Sequence, residues 1–565
     1  MKKRIFMLLM ATTLALSVTS GCGQKLTAPQ LKPDSTGRTE YTLPNIFSKD
    51  SSAGNASEMP ESNKNYLYEP AVECDGYYDY EYYYDPYFSG ETYAPISESA
   101  FYDTLRSPLS TFAADVDTAS YSNMRRLVNS GYGLYDFSGV TIRAEEMINY
   151  FKYDYSSPQK GEVFAVDSVV SDCPWNKDHM LLILGVNTDT LKESKRPDSN
   201  IVFLVDISGS MRDENKLPLL KQSMELLAEN LTEKDRVSIV TYASGTSVVL
   251  DGVRGDKTSK IIKAFEDLKA GGSTNGEGGL ELAYKTAEKN FIEGGNNRII
   301  LATDGDFNVG KCKGDELKDL ISEKKDSGVF LSVLGFGMYN YNDVTAETLA
   351  DSGNGNYSYI DCLTEAKKVL VDEMSSTLYT VAKDTKFQVE FNPAMVSQYR
   401  LVGYENRALE AKDFTDDTKD GGEIGAGHQV TVVYEIELAE DSEGSGLKYQ
   451  NGNLTDKGNS KDEWCTLSIA YKEPDKDESK YLEFPIGADN YTKKPSDDFI
   501  LATSVAEFSM AINDSAFLVD MTREEALEQA IKNVTKIDSD NEIVIEFLSL
   551  METVADSEGY GYWYD

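Results

Sequence analysis

The chain has 565 residues, with 95 Asp and Glu against 55 Lys and Arg, for a formal charge of -40 and a pI near 4.4. Such an acidic balance argues against nucleic acid as a partner, because phosphate binding needs basic patches, and it favours divalent ions or cationic partners. The length can bury a large core without staples. Beyond Cys22 the cysteines are Cys74, Cys173, Cys312, Cys362 and Cys465, odd in number and matching no zinc spacing, so no disulfide framework is expected. Cys312 and Cys362 follow predicted strand ends on one sheet edge and form the one pair worth testing.

Residues 1–22 read as a targeting segment rather than as fold. Lys2, Lys3 and Arg4 precede an apolar run from Ile5 to Val18 that is short for a membrane span. Gly21-Cys22 then resembles the processing site of bacterial lipoproteins, in which the cysteine becomes the lipidated N-terminus; Thr19 departs from the usual Leu. The expectation is an exported chain, lipid-anchored at Cys22 to a cell-membrane surface. Residues 23–95 are polar and lack apolar periodicity, as in a disordered tether. The acidic, Tyr-rich run from Tyr77 to Phe88 inside it reads as a sticky linker or as an aromatic patch for a glycan or wall polymer.

Residues 96–197 mix helices and strands. Ser110 to Asp117 reads as a strand, and Thr118-Ala119-Ser120 offers capping oxygens for a helix through Arg125, Leu127 and Val128. Asp115 and Asp117 admit two readings, a second metal or turn and cap hydrogen bonds. A second helix carries Ile142, Met147, Ile148 and Phe151. Val163–Val166 and Met180–Leu184 read as strands around the turn Cys173-Pro174-Trp175-Asn176.

Residues 198–380 alternate strand and helix. Apolar strands are expected at Ile201–Val205, Val237–Tyr242, Ile299–Ala302, Phe330–Phe336 and Tyr357–Ile360. Leu217, Leu220, Met224, Leu227 and Leu231 recur at helical spacing. The alternation predicts an α/β fold, a doubly wound, mostly parallel sheet that binds ligands beyond the carboxyl ends of its strands. Asp206, Ser208 and Ser210 follow the first strand as D-x-S-x-S, Thr274 lies in a Gly-rich loop and Asp304 ends a later strand. Carboxylates and hydroxyls are the hard oxygen ligands that Mg²⁺ takes.

These five positions resemble the metal-ion-dependent adhesion site of von Willebrand factor type A domains. The resemblance implies a divalent ion, Mg²⁺ or else Mn²⁺ or Ca²⁺. Ser208, Ser210 and Thr274 would be direct ligands, Asp206 and Asp304 would act largely through water, and an open position would take an Asp or Glu of a protein partner. Pro108–Phe112, Asp115–Tyr121, Glu145–Phe151 and Cys173–Asn176 are similar to the N-terminal segment of bacterial von Willebrand A lipoproteins of the YfbK type.

Residues 381–565 change pattern. Lys386–Phe391, Tyr399–Tyr404, Gln429–Leu438, Trp464–Tyr471 and Lys480–Pro485 read as antiparallel strands of a β-sandwich, followed by three helices, one opened by the capping box Thr522…Glu525. The strands before residue 190 are expected to complete that sandwich, with the A domain inserted in it. Three functions are carried forward: metal-bridged protein binding, an envelope scaffold with a structural metal, and a metal-dependent hydrolase. The last ranks below the others, since His179 and His428 are the only histidines and neither neighbours the motif. The expectation is a protein that is not an enzyme.

Overall fold

The computed structural model describes Glu91 and residues 93–557, except 191–195, 306–319, 322–323, 325–326, 339–340, 374–378, 420, 440–459 and 475. Cys22, the targeting segment, the Tyr-rich run, Cys74 and Cys312 lie outside the described residues, and with Cys312 the proposed Cys312–Cys362 pair.

The N-terminal part contains β1 (Tyr102–Asp103), β2 (Leu109–Ala113), α1 (Ala119–Asn129), α2 (Ala144–Asn149), β3 (Phe164–Asp172) and β4 (His179–Thr188). The middle part runs through β5 (Ser199–Asp206), α3 (Leu217–Glu229), β6 (Arg236–Tyr242), β7 (Thr246–Arg254), α4 (Thr258–Glu266), α5 (Gly276–Lys289), β8 (Asn296–Thr303), β9 (Phe330–Phe336), α6 (Asp343–Ser352), β10 (Tyr357–Ile360) and α7 (Leu363–Lys367). The C-terminal part holds β11 (Thr380–Phe391), β12 (Val396–Val402), β13 (Ala408–Leu409), β14 (Gly422–Gly425), β15 (Gln429–Leu438), β16 (Glu463–Lys472), β17 (Ser479–Gly487), α8 (Asp497–Ile512), α9 (Arg523–Val534) and α10 (Glu542–Asp556).

The middle part forms one sheet in the order β10-β9-β8-β5-β6-β7. Its pairings are parallel except β6 with β7, an edge hairpin the periodicity did not reveal because Thr246–Val249 is exposed. Alternation along β5 feeds two cores. Ile201, Phe203 and Val205 join Leu220, Met224 and Phe265 on one side, while Val202 and Leu204 join Leu280, Tyr284 and Leu349 on the other. Both faces are dry, which is why the strand reads as continuously apolar.

The flanking parts share two antiparallel sheets, β1-β12-β15-β4-β3 and β13-β2-β11-β16-β17, with β14 beside β11. β4 pairs with β15 from Asn187–Gln429 to His179–Glu437, and β2 pairs with β11. Strands on both sides of the α/β part therefore build one sandwich, and the α/β part is inserted between them. Leu182 and Leu184 face the opposing sheet, whereas Leu181 and Ile183 face a helical layer made of α1, α2 and α8 to α10. Thr522 and Glu525 make the expected reciprocal capping box.

The start of α1 differs from the sequence reading. Thr118 makes no side-chain cap bond. Instead Glu146 Oε2 accepts the Ser120 N–H at 2.7 Å, a carboxylate from another helix doing the capping.

Asp115 and Asp117 do not make a second metal site. Asp115 Oδ2 accepts from Arg407 Nε at 2.8 Å, and its Oδ1 accepts the Asp117 N–H at 2.8 Å. Asp117 Oδ1 accepts the Tyr357 N–H at 2.8 Å, and Arg407 also reaches Asp351 at 2.6 Å. Among the described residues, no group of three or more His, Cys, Asp or Glu is poised to hold a metal. These carboxylates tie the sandwich to the inserted part. Arg143 does the same through Asp343 and Glu347, and Arg125 through Asp361 and Glu365.

Candidate metal centre

The centre lies at the carboxyl ends of β5, β6 and β8. Asp206 is the last residue of β5, opposite Tyr242 at the end of β6, and Val205 is opposite Ala302, two residues before Asp304. The parallel register thus places the two carboxylates on one edge. Both are fully buried.

After Asp206 the chain turns back on itself. Asp206 Oδ1 accepts the Ser208 N–H at 2.7 Å, and the Ser208 and Ser210 hydroxyls lie 2.9 Å apart. Main-chain bonds then join this loop to the one carrying Thr274. Gly209 N–H donates to the Gly272 carbonyl at 3.0 Å, and Gly271 N–H to the Ile207 carbonyl at 2.7 Å. Ser244 receives the Ser273 N–H at 2.9 Å. Thr274 is half-buried, one residue before the N-cap Asn275 of α5. The structure brings the D-x-S-x-S and Gly271–Thr274 loops together and sets Asp304 on the same sheet edge.

Gly209 adopts no positive φ, and a Cβ there would meet only the Gly272 carbonyl at an ordinary 3.4 Å. Gly305 is the demanding position: φ is +81°, and a Cβ would collide with the Asn342 main chain. Gly278 and Gly279 belong to the first turn of α5, and Gly279 lets that helix approach Tyr242, whose Cβ would be 2.9 Å from an added one.

Burial pushes the Asp206 carboxyl up to about 6, opposed by the bonds from Ser208 and assisted by the charge of Asp304. Its Oδ2 is buried without a well-formed hydrogen bond among the described residues, with the Tyr242 phenol as neighbour. A buried carboxylate oxygen in that condition, beside clustered hydroxyls, fits a hard cation. Two functional neighbours escaped the sequence reading. One is Tyr242. The other is Lys216, whose Nζ lies 3.0 Å from Asp304 Oδ2 with the two side chains 3% and 0% exposed. Its place at the start of α3 was readable, but lysines are mostly exposed and nothing local marks this one as inward.

The histidines lie elsewhere. His179 Nδ1 is 2.6 Å from Glu435 Oε1. His428 Nδ1 accepts the Gly425 N–H at 3.2 Å, and burial drives its pKa down to about 3.

A doubly wound sheet with D-x-S-x-S leaving its central strand defines a von Willebrand factor type A domain protein. The family model described as von Willebrand factor type A domain matches residues 200–370, one described as von Willebrand factor matches 87–183, and one described as Uncharacterized protein YfbK, C-terminal, matches 376–556. Over 434 residues, 75% of each chain, the sequence is 41% identical to YfbK of Escherichia coli (strain K12). The chain belongs to the YfbK family. It is also 32% identical over 172 residues to protein sll0103 of Synechocystis, covering 30% of this chain and 40% of that one. Among solved structures, a von Willebrand factor type A protein from Catenulispora acidiphila aligns at 15% identity and a TM-score of 0.39, over 66% of this chain and 86% of that one.

Proposed function

We propose that this is an exported envelope lipoprotein, anchored through Cys22, that binds a protein partner through a divalent ion held by Asp206, Ser208, Ser210, Thr274 and Asp304. The observation that carries the reading is the joining of the two hydroxyl-bearing loops beside two buried carboxylates, one with an oxygen that lacks a well-formed bond. Mg²⁺ is the ion that suits this donor set, with Mn²⁺ or Ca²⁺ as substitutes. When bound, the ion would supply an electrophilic position that an Asp or Glu of the partner can fill. Asp206 and Ser208 orient each other through the 2.7 Å bond, and Asp304 brings the second carboxylate from β8.

The scaffold reading, in which a metal holds the loops, has less support. The Gly209–Gly272 and Gly271–Ile207 main-chain bonds already join them. The hydrolase reading lacks a nearby histidine base, since His179 and His428 are engaged in the sandwich.

Asp206→Ala tests the proposal. Calorimetry with Mg²⁺ and Mn²⁺ should show binding to the native chain and none to the variant, while circular dichroism stays native. Capture of envelope proteins should disappear in EDTA and return with Mg²⁺. Equal capture with and without metal would remove the bridging mechanism.

A further inference from the structure

Lys216 is built into the centre rather than resting on it. It precedes the first turn of α3, and its stem runs over Gly337, directly after β9. Gly337 has φ +90°, and a Cβ there would collide with the Lys216 Cγ, Cδ and Cε. The chain keeps a glycine where the lysine must pass. The ammonium then meets Asp304 Oδ2 at 3.0 Å. A lysine and an aspartate both withdrawn from water are costly unless paired, so each holds the other in place. The D-x-S-x-S, Thr and Asp pattern contains no such cation.

We infer that Lys216 is an internal counter-cation that competes with the divalent ion for Asp304 and so sets both the metal affinity and the charge of the loaded site. The inference rests on the metal-binding reading above. Asp206, Asp304 and Lys216 together carry one net negative charge. A divalent ion turns that into one net positive charge, whereas without the lysine the loaded site would be neutral. Lys216 therefore weakens the metal, through repulsion and through its hold on Asp304, and leaves the loaded centre attractive to a carboxylate. Like charges a few ångströms apart in a buried site repel strongly enough to shift affinity by at least about tenfold.

Two variants of the full chain separate charge from positioning. Lys216→Gln removes the charge and keeps an amide donor on a side chain one atom shorter. Lys216→Met keeps the stem and removes both. Calorimetry with Mn²⁺ alone, and separately with Mg²⁺, should show at least about tenfold tighter binding to each variant than to the native chain. Thermal melts of the metal-free proteins should show the Met variant less stable than the native chain, and Mn²⁺ should raise its Tm by more than the native Tm. Unchanged or weaker metal binding by Lys216→Gln would overturn the inference and leave metal binding by the native chain intact. No binding by the native chain or either variant would overturn the metal reading together with it.

Discussion

Trp175 donates its indole N–H to Glu435 at 2.9 Å across 260 residues of sequence, with the whole inserted α/β part between them. The same carboxylate accepts from Arg400 at 2.9 Å and meets His179 at 2.6 Å. The Cys173–Asn176 turn thus ends on a buried charge network in β15, and the two flanks are one structural unit. Glu435→Gln should leave the buried Arg400 guanidinium short of its counter-charge. Removing one partner of a buried pair costs roughly 3–5 kcal/mol. Urea melts should show a loss of that order, and a loss within experimental error would mean that the network does not hold the flanks together.

Arg407 plays the corresponding part between the sandwich and the inserted part. It faces Asp115, Asp117, Glu347 and Asp351. Burial, with the charge of Asp115, raises the Asp117 carboxyl well above its ordinary range, and Arg407 opposes that rise. Arg407→Leu should destabilise the fold by about 3 kcal/mol or more. In the native chain, calorimetry should count a single divalent ion; a second ion lost on Asp117→Asn would restore the second-metal reading.

Glu507 gives a pH dependence with a defined sign. It is fully buried in α8, accepts from Gln529 at 2.8 Å through one oxygen, and has no partner for the other among the described residues. Burial raises its pKa from 4.5 to about 8. Between those values the folded chain keeps a proton that the unfolded chain has released. The contribution of Glu507 to stability is therefore greatest below the unfolded value and is lost as pH rises towards about 8. Each pKa unit is worth about 1.4 kcal/mol. Glu507→Gln should remove this decline, so that the variant gains on the native chain by a few kcal/mol, on the order given by that slope, between acidic and mildly alkaline urea melts. Parallel pH curves for the two proteins would show that Glu507 is not the group responsible.

Cys22→Ala should release the chain from the membrane fraction or block its processing. The basis is the basic start, the short apolar run and Gly21-Cys22. Among the described residues no helix is long and apolar enough to cross a membrane. A variant that is processed and retained like the native chain would show that the anchor is not at Cys22.

The strands of the inserted sheet were legible because each is buried on both faces and reads as an apolar run bounded by turn residues. The five oxygen-bearing positions were picked out by their resemblance to a family pattern, and the structure joins the two hydroxyl-bearing loops by main-chain bonds and sets Asp304 on the same sheet edge. β7 was not, since an exposed edge strand carries no burial signal. The capping of α1 by Glu146, the clamp of Arg407 on Asp115 and Asp117, and the Lys216–Asp304 pair were decided by tertiary structure. Each depends on which charged side chain a distant element delivers into a dry space. Local sequence encodes periodicity and turn chemistry, whereas the partner of a buried charge is fixed only when the sheets and helices close around it.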